Sequence, residues 1–438
     1  MALIVFAALV AFLFFTHEPW RDEGQAWLWA KELSRPQDFF IVPGEGHPPL
    51  WFWLLKVFSL VLPFDAARYF NLALTFVNAL LLWLLLRDRF WLFAAVLFSV
   101  FFAYFWGVMF RPYTLLVTLA LIAALLLRRN RSVAAGWVLA LAVGLHFYAS
   151  FIFGLWLLVE LLRRKPILPI VGPALLAGAF ALLAILSGRG NPGGNLEFGN
   201  LLLGPIKNFA MGFALDLPYV FAPLAVAAIL ALLFIEFREN RLVLWCFVAC
   251  ASAFSLFTWI VYGLATWHYA AVPVMLLLAW ALAEKPVAGW RLAILMLPWF
   301  LLTIEVVQRT VSVPYSGAWA AYDALVAVSE SDGIPLGPET VIVWPDFVFS
   351  GPMASHDLRV TSGNSGAEIG PTNWATRGNS DIAAENFARA STYYLVCLTC
   401  ERLGETIPAN GMAATLVAEP ILALDEQLAV YRVSPSGN

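Results

Sequence analysis

Over the first 309 residues polar positions are sparse and clustered, and the apolar stretches between them have helix lengths, not strand lengths. They predict membrane helices near 1–16, 66–86, 90–108, 112–127, 133–147, 149–162, 167–186, 219–236, 242–260, 266–283 and 290–308. The first reads as a helix and not as a signal peptide, because no basic region precedes it and no small-residue cleavage site follows. A further apolar segment, 48–63, opens with two prolines, contains Lys56 and stops at Pro63. Counted as a crossing, it sends the basic clusters to alternating sides. Left out, it puts Arg87/Arg89, Arg128/Arg129/Arg131, Arg163/Arg164/Lys165, Arg238/Arg241 and Lys285/Arg291 all on one side, as cytoplasmic loops require. The segment is therefore predicted to lie on the outer surface, inside a loop over 17–65. Eleven crossings then leave the N-terminus in the cytoplasm and everything after residue 309 outside.

From residue 310 to 438 the pattern becomes that of a small soluble α/β domain. ETVIVWPDF and STYYLVCL read as strands, and LDEQLAVYRV as a final edge strand. A helix is predicted over 318–330 with Tyr322, Leu325, Val326 and Val328 on its apolar side. The Gly/Asn/Ser-rich stretch 361–380 reads as a loop, and no internal repeat is visible.

Composition narrows the class. Of 438 residues 61% are hydrophobic and 13% charged, whereas a soluble domain carries about 25% charged residues. A cytosolic enzyme and a disordered chain are excluded, and a net charge of -3 without a basic tract argues against nucleic acid. Continuous apolar runs exclude an outer-membrane barrel, whose strands alternate. What remains is a polytopic α-helical membrane protein with a small extracytoplasmic α/β domain, a membrane part over 1–309 and a soluble part over 310–438. Charge divides at the same place: 21 Lys/Arg and 15 Asp/Glu up to residue 309, then 5 and 14. Cys246 and Cys250 lie in an apolar run and read as small core residues. Cys397 and Cys400 form a lone CxxC, read as a local disulfide or two free thiols.

The topology sorts the polar residues. Asp22, Glu23, His47, Arg111, His146, Arg189, Lys207 and His268 fall on the outer side, together with His17. A membrane protein that gathers titratable groups on one face uses that face. In RDEGQAW, Asp22 and Glu23 directly follow the first helix; they read as a general base with an orienting neighbour, or as the cap of a short amphipathic helix with Asp22 as N-cap. GEGHPPLWFW puts His47 before a Trp-rich stretch that would anchor at the headgroups or let the imidazole donate to a phosphate. In MFRPYTLL, Arg111 either snorkels to headgroups or binds a lipid phosphate. LHFYAS (His146, Tyr148) and TWHYAAV (His268, Tyr269) place a histidine beside aromatics at two outer helix ends, structural if taken singly. The Gly/Asn-rich loop over 187–218 reads as a lid or as a plain connector. No Walker loop, Rossmann fingerprint, HExxH or GxSxG stands in a credible context, which argues against a soluble nucleotide donor.

The Asp-Glu pair after the first helix, HPPLW closing the first outer loop, R-P-Y at an outer junction and the helix-end H-x-Y together resemble the GT-C superfamily of membrane glycosyltransferases. The likeness is to bacterial members of the protein O-mannosyltransferase and aminoarabinose-transferase type, and it is carried mainly by residues 1–150. It implies a GT-C-like fold and inverting transfer of a sugar from a polyprenyl-phosphate donor to a glycan, lipid or protein acceptor, in the inner membrane. It further implies Asp22 as base, Glu23 as its orienter or an acceptor contact, His47 at the site rim, and Arg111 facing the donor phosphate. Many relatives carry an acidic residue where this chain has Tyr113, which weakens the case for a divalent metal, and Arg-Tyr where it has His268-Tyr269. Two competing readings are a lipid-linked-sugar transporter, which would need a polar path at the bilayer midplane, and a non-catalytic scaffold or sensor.

Overall fold

A computed structural model describes residues 1–42, 46–188, 202–261, 266–369 and 384–436. The chain divides into two compact units: residues 1–14, 40–51 and 69–308 form one, and 15–39, 52–68 and 309–438 the other.

The first unit is helical. Its elements are α1 (Ala2–Thr16), the greater part of α4 (Phe64–Leu86), α5 (Phe90–Leu97), α6 (Tyr113–Arg128), α7 (Ser132–Leu145), α8 (Ala149–Leu162), α9 (Leu168–Ser187), α10 (Leu203–Met211), α11 (Ala222–Glu236), α12 (Arg241–Val261), α13 (Ala271–Leu282) and α14 (Trp290–Ser312). Helix α13 is apolar on every side, and all twelve of its residues are buried. A helix without a polar face has no surface to offer water, and α13 accordingly packs among α6, α8 and α12. Among the described residues four helices, α4, α9, α12 and α14, are long and apolar enough to cross a membrane, or five if α1 and the helix Arg21–Glu32 are taken as one broken span.

The span predicted over 90–108 is not one helix. α5 stops at Leu97, a π-helical turn follows at Phe101–Phe105, and the chain then turns until Pro112. Ser99 turns its hydroxyl back to the carbonyl of Val96 (2.5 Å), which bends a helix. Gly107 is needed there, because a Cβ would lie 2.4 Å from the Phe102 carbonyl oxygen. The apolar run hides this break, since Phe, Tyr and Trp fill a buried turn as readily as a helix.

The basic clusters of this unit are tied together at one end. The Arg163 guanidinium donates to the Leu282 carbonyl (2.7 Å) and pairs with Glu284 (3.0 Å). Arg89 donates to the Val287 carbonyl (3.3 Å), and Arg128 lies 5.1 Å from the centre of the Trp280 ring. The fully buried carboxylate of Glu236 accepts the Gly289 N–H (2.5 Å) and pairs with Arg291 (3.0 Å). The residues at the other ends of α6, α7, α8 and α13 are Arg111, His146, Tyr148 and His268.

The second unit contains α2 (Arg21–Glu32), most of α3 (Leu50–Ser59), α15 (Ala318–Asp332), α16 (Ser350–His356), α17 (Thr406–Ala409) and a five-stranded sheet ordered β2-β1-β3-β5-β4. β1 (Val341–Trp344) runs parallel to β2 (Thr361–Ser362) and β3 (Tyr393–Cys397); β5 (Ala429–Pro435) is antiparallel to β3 and to β4 (Met412–Ala418). The strand predicted as a final edge is therefore interior. The edge on that side is β4, an Ala-rich strand of weak β propensity that periodicity overlooks. β1 and β3 are buried at every position, which explains their continuous apolar sequences. Cys397 and Cys400 form a disulfide where β3 ends. Helix α15 covers one face through Ala318, Ala321 and Leu325, with Tyr322 and Val328 flanking. α2 lies against α16 so closely that a Cβ on Gly24 would stand 2.2 Å from the Ser350 carbonyl oxygen.

Candidate functional site

In the helical unit, Arg111 and Tyr113 flank Pro112 at the start of α6. Proline has no N–H to lose and its φ is already helical, so the helix starts there. The irregular backbone ahead of it needs partners, because lipid offers none. α4 supplies them from three positions spaced four and three residues apart, on one face. The Asn71 side-chain amide donates to the Met109 carbonyl (2.6 Å) and more weakly to that of Arg111 (3.4 Å). The Thr75 hydroxyl donates to Gly107 (2.6 Å), and the Asn78 amide to Thr114 (3.0 Å). This ladder fixes the position of Arg111, whose side chain is buried, only 5% exposed. No feature of the α4 sequence by itself assigns these residues to that task.

Around Arg111 gather most of the residues predicted for the donor side. The His146 ring is at the centre: His47 meets it edge-on at 4.8 Å, Tyr113 lies at 5.0 Å and Tyr148 at 4.2 Å. His268 meets Tyr148 at 5.4 Å. Arg111, His47 and His268 all lie near enough to His146 to act on it electrostatically. His146 Nδ1 accepts the Tyr148 N–H at 3.2 Å, so the neutral ring carries its proton on Nε2 and presents a donor there. Trp106, missed in the sequence, stacks on Tyr113 at 5.1 Å and donates its indole N–H to the Trp267 carbonyl (2.9 Å), which braces the turn carrying His268. Tyr269 serves elsewhere: its hydroxyl donates to Asn208 (2.9 Å), which in turn donates to Thr258 (3.2 Å) on α12.

This cluster brings together three imidazoles, a guanidinium and two phenols, all of which can donate hydrogen bonds. It is suited to an anion with several acceptor oxygens, such as a phosphate. Among the described residues no group of His, Cys, Asp or Glu has the geometry to hold a metal ion. Arg189 and most of the Gly/Asn-rich stretch of the predicted lid lie outside the described residues, as do 370–380 of the predicted loop over 361–380.

Asp22 and Glu23 belong to the second unit. The N-cap of α2 is Trp20, so Asp22 is the second helical residue and not the cap. The capping role falls to Glu23, whose buried carboxylate accepts the Trp20 N–H (3.0 Å) and lies 2.8 Å from His17 Nε2. Asp22 is left with a side chain 14% exposed, 3.7 Å from the Arg21 guanidinium. Burial alone would lower the Arg21 group, but Asp425, Asp22 and Glu426 hold it above its usual value. Burial, with Asp425 adding to it, pushes the Glu426 carboxyl well above the carboxylate range, against the opposing pull of Arg21.

No family model matches the chain, and no curated protein does. Among solved structures it is similar to ArnT from Cupriavidus metallidurans, crystallised bound to undecaprenyl phosphate, with 14% identity and a TM-score of 0.55 over 98% of this chain and 97% of that one. The fold of this chain is thus similar to that of ArnT over nearly the whole length of both.

Proposed function

We propose that the chain is an inverting glycosyltransferase that takes a sugar from a polyprenyl-phosphate donor and passes it to a hydroxyl of a glycan, lipid or protein acceptor at the outer face of the inner membrane. The observation that carries this reading is the cluster of Arg111, His47, His146 and His268, in a fold similar to that of ArnT crystallised with undecaprenyl phosphate. Asp22 takes the proton of the acceptor hydroxyl, the acceptor oxygen attacks the anomeric carbon, and the bond from that carbon to the phosphate oxygen breaks. Arg111 and the Nε2 donor of His146 stabilise the charge left on the lipid phosphate. Tyr113, Tyr148 and the imidazoles of His47 and His268 shape the phosphate pocket. Glu23 orients the start of α2.

The gathering of the Arg/Lys clusters at the opposite ends of the helices supports a cytoplasmic placement for that end, eleven crossings, and an outer placement for the soluble part after residue 309. α3 has ten residues, about 15 Å of helix, which supports its lying on the outer surface and not crossing. Binding of undecaprenyl phosphate to the full-length protein in detergent tests the reading. Arg111→Ala should weaken it at least tenfold and Arg111→Lys should restore part. Unchanged affinity in Arg111→Ala would remove the cluster from the donor site.

A further inference from the structure

The Arg21 guanidinium is shared among three carboxylates. Nη2 is 3.2 Å from Asp425 Oδ1, while Nε is 3.7 Å from Asp22 Oδ1 and 3.8 Å from Glu426 Oε1. The Trp20 and Phe347 rings, each 5.6 Å away, hold it from the sides. The segment bearing Asp425 is fixed by its backbone: Leu424 N–H donates to Pro314 (3.0 Å), Asp425 N–H to Tyr315 (2.9 Å), and Gly317 N–H to the Glu426 carbonyl (2.7 Å). Glu426 is itself fully buried, accepts the Arg21 N–H at 3.2 Å, and has the Ser316 side chain as a further partner. Three carboxylates thus share the Arg21 guanidinium, and Asp425 is the nearest of them.

We propose that Asp425, more than 400 residues from Asp22 in sequence, is a positioning residue that draws the Arg21 guanidinium away from Asp22 and so keeps Asp22 basic. The inference rests on the reading of Asp22 as the base. Removing the Asp425 charge acts twice in the same direction. It deletes a like charge near Asp22 and releases Arg21 to pair with it, and both favour the ionised form of Asp22. Other charged groups of this unit have partners of their own. Glu23 is held by His17, whose backbone carbonyl accepts from Arg68. Glu18 accepts the Ser316 N–H, and Asp346, in the turn packed on α2, is bonded to Ser362. The Tyr315 phenol adds only a small negative influence on Arg21.

The test needs no substrate. N,N′-dicyclohexylcarbodiimide attacks protonated carboxyls, and peptide mass spectrometry reads the pH midpoint of labelling at Asp22 in the full-length protein. In Asp425→Asn the midpoint should move about one pH unit lower, and in Asp425→Glu it should return toward the parent value. Sugar transfer at neutral pH should fall in Asp425→Asn and recover in Asp425→Glu, with undecaprenyl-phosphate affinity unchanged in both. A midpoint unmoved in Asp425→Asn, or shifted equally in both variants, overturns the proposal while leaving the base reading intact. Full transfer by Asp22→Asn would instead end the base reading, and the positioning role with it.

Discussion

Glu23 Oε2 lies 2.8 Å from His17 Nε2, and neither side chain has any exposed surface. The same oxygen accepts the Trp20 N–H, so one buried carboxylate ties His17 to the start of α2. Glu23 and its neighbour Asp22 are therefore separable by experiment. Glu23→Ala takes away the carboxylate that a buried imidazole and a buried N–H both contact, a loss of about 1–3 kcal/mol. Its thermal midpoint should fall by several degrees. Asp22→Asn should melt like the parent protein, since its side chain closes no cap, yet lose transfer by about 10²–10⁴-fold. A variant pair with these two effects exchanged would overturn the assignment.

The Asn71 amide holds the Met109 and Arg111 carbonyls, so the anion cluster depends on a residue that touches no substrate. Asn71→Leu keeps the volume and strips those carbonyls of their donor. It should cost about 1–3 kcal/mol of stability and weaken undecaprenyl-phosphate binding as well, because Arg111 loses its fixed backbone. An unchanged melting midpoint would mean that the ladder carries no load.

The helical ends of the cluster were legible in the sequence because each element announces itself by a boundary. Pro112 starts α6, and His146 and His268 stand where apolar runs stop. The run over 90–108 carried no such mark, so its break and the stacking of Trp106 on Tyr113 were invisible. The caps were misread for a similar reason: Asp22 has the commoner N-cap side chain, but the buried His17 draws Glu23 back instead. Asp425 and Arg21 could not be paired from sequence at all, since no local pattern links residues so far apart. The edge strand β4 was lost to its alanines.

Topology is tested at Ser365, exposed in the turn after β2. The four native cysteines give little background, two being buried and two bonded to each other. With Ser365→Cys in intact cells, a membrane-impermeant maleimide should label the protein without permeabilisation. Labelling that requires opening of the inner face would place the soluble part in the cytoplasm and end the proposed orientation.

Asp346 gives a pH prediction whose sign is opposite to the usual carboxylate case. Asp346 is only 5% exposed, and its Oδ2 accepts the Ser362 hydroxyl at 3.2 Å. Burial raises its carboxyl from 3.8 to about 6, with the bonds from Ser362 and nearby backbone opposing. The folded state thus binds the proton more tightly than the unfolded chain does. The stability linked to this group is fully present below pH 3.8 and is lost as pH rises to 6, amounting to about 3 kcal/mol at neutral pH. Asp346→Asn removes the titration and keeps the shape. Thermal melts in detergent should find the variant close to the parent near pH 4 and more stable above pH 6. A variant less stable than the parent at pH 8 would mean that the Asp346 carboxylate is stabilised as an anion, and the predicted sign would be wrong.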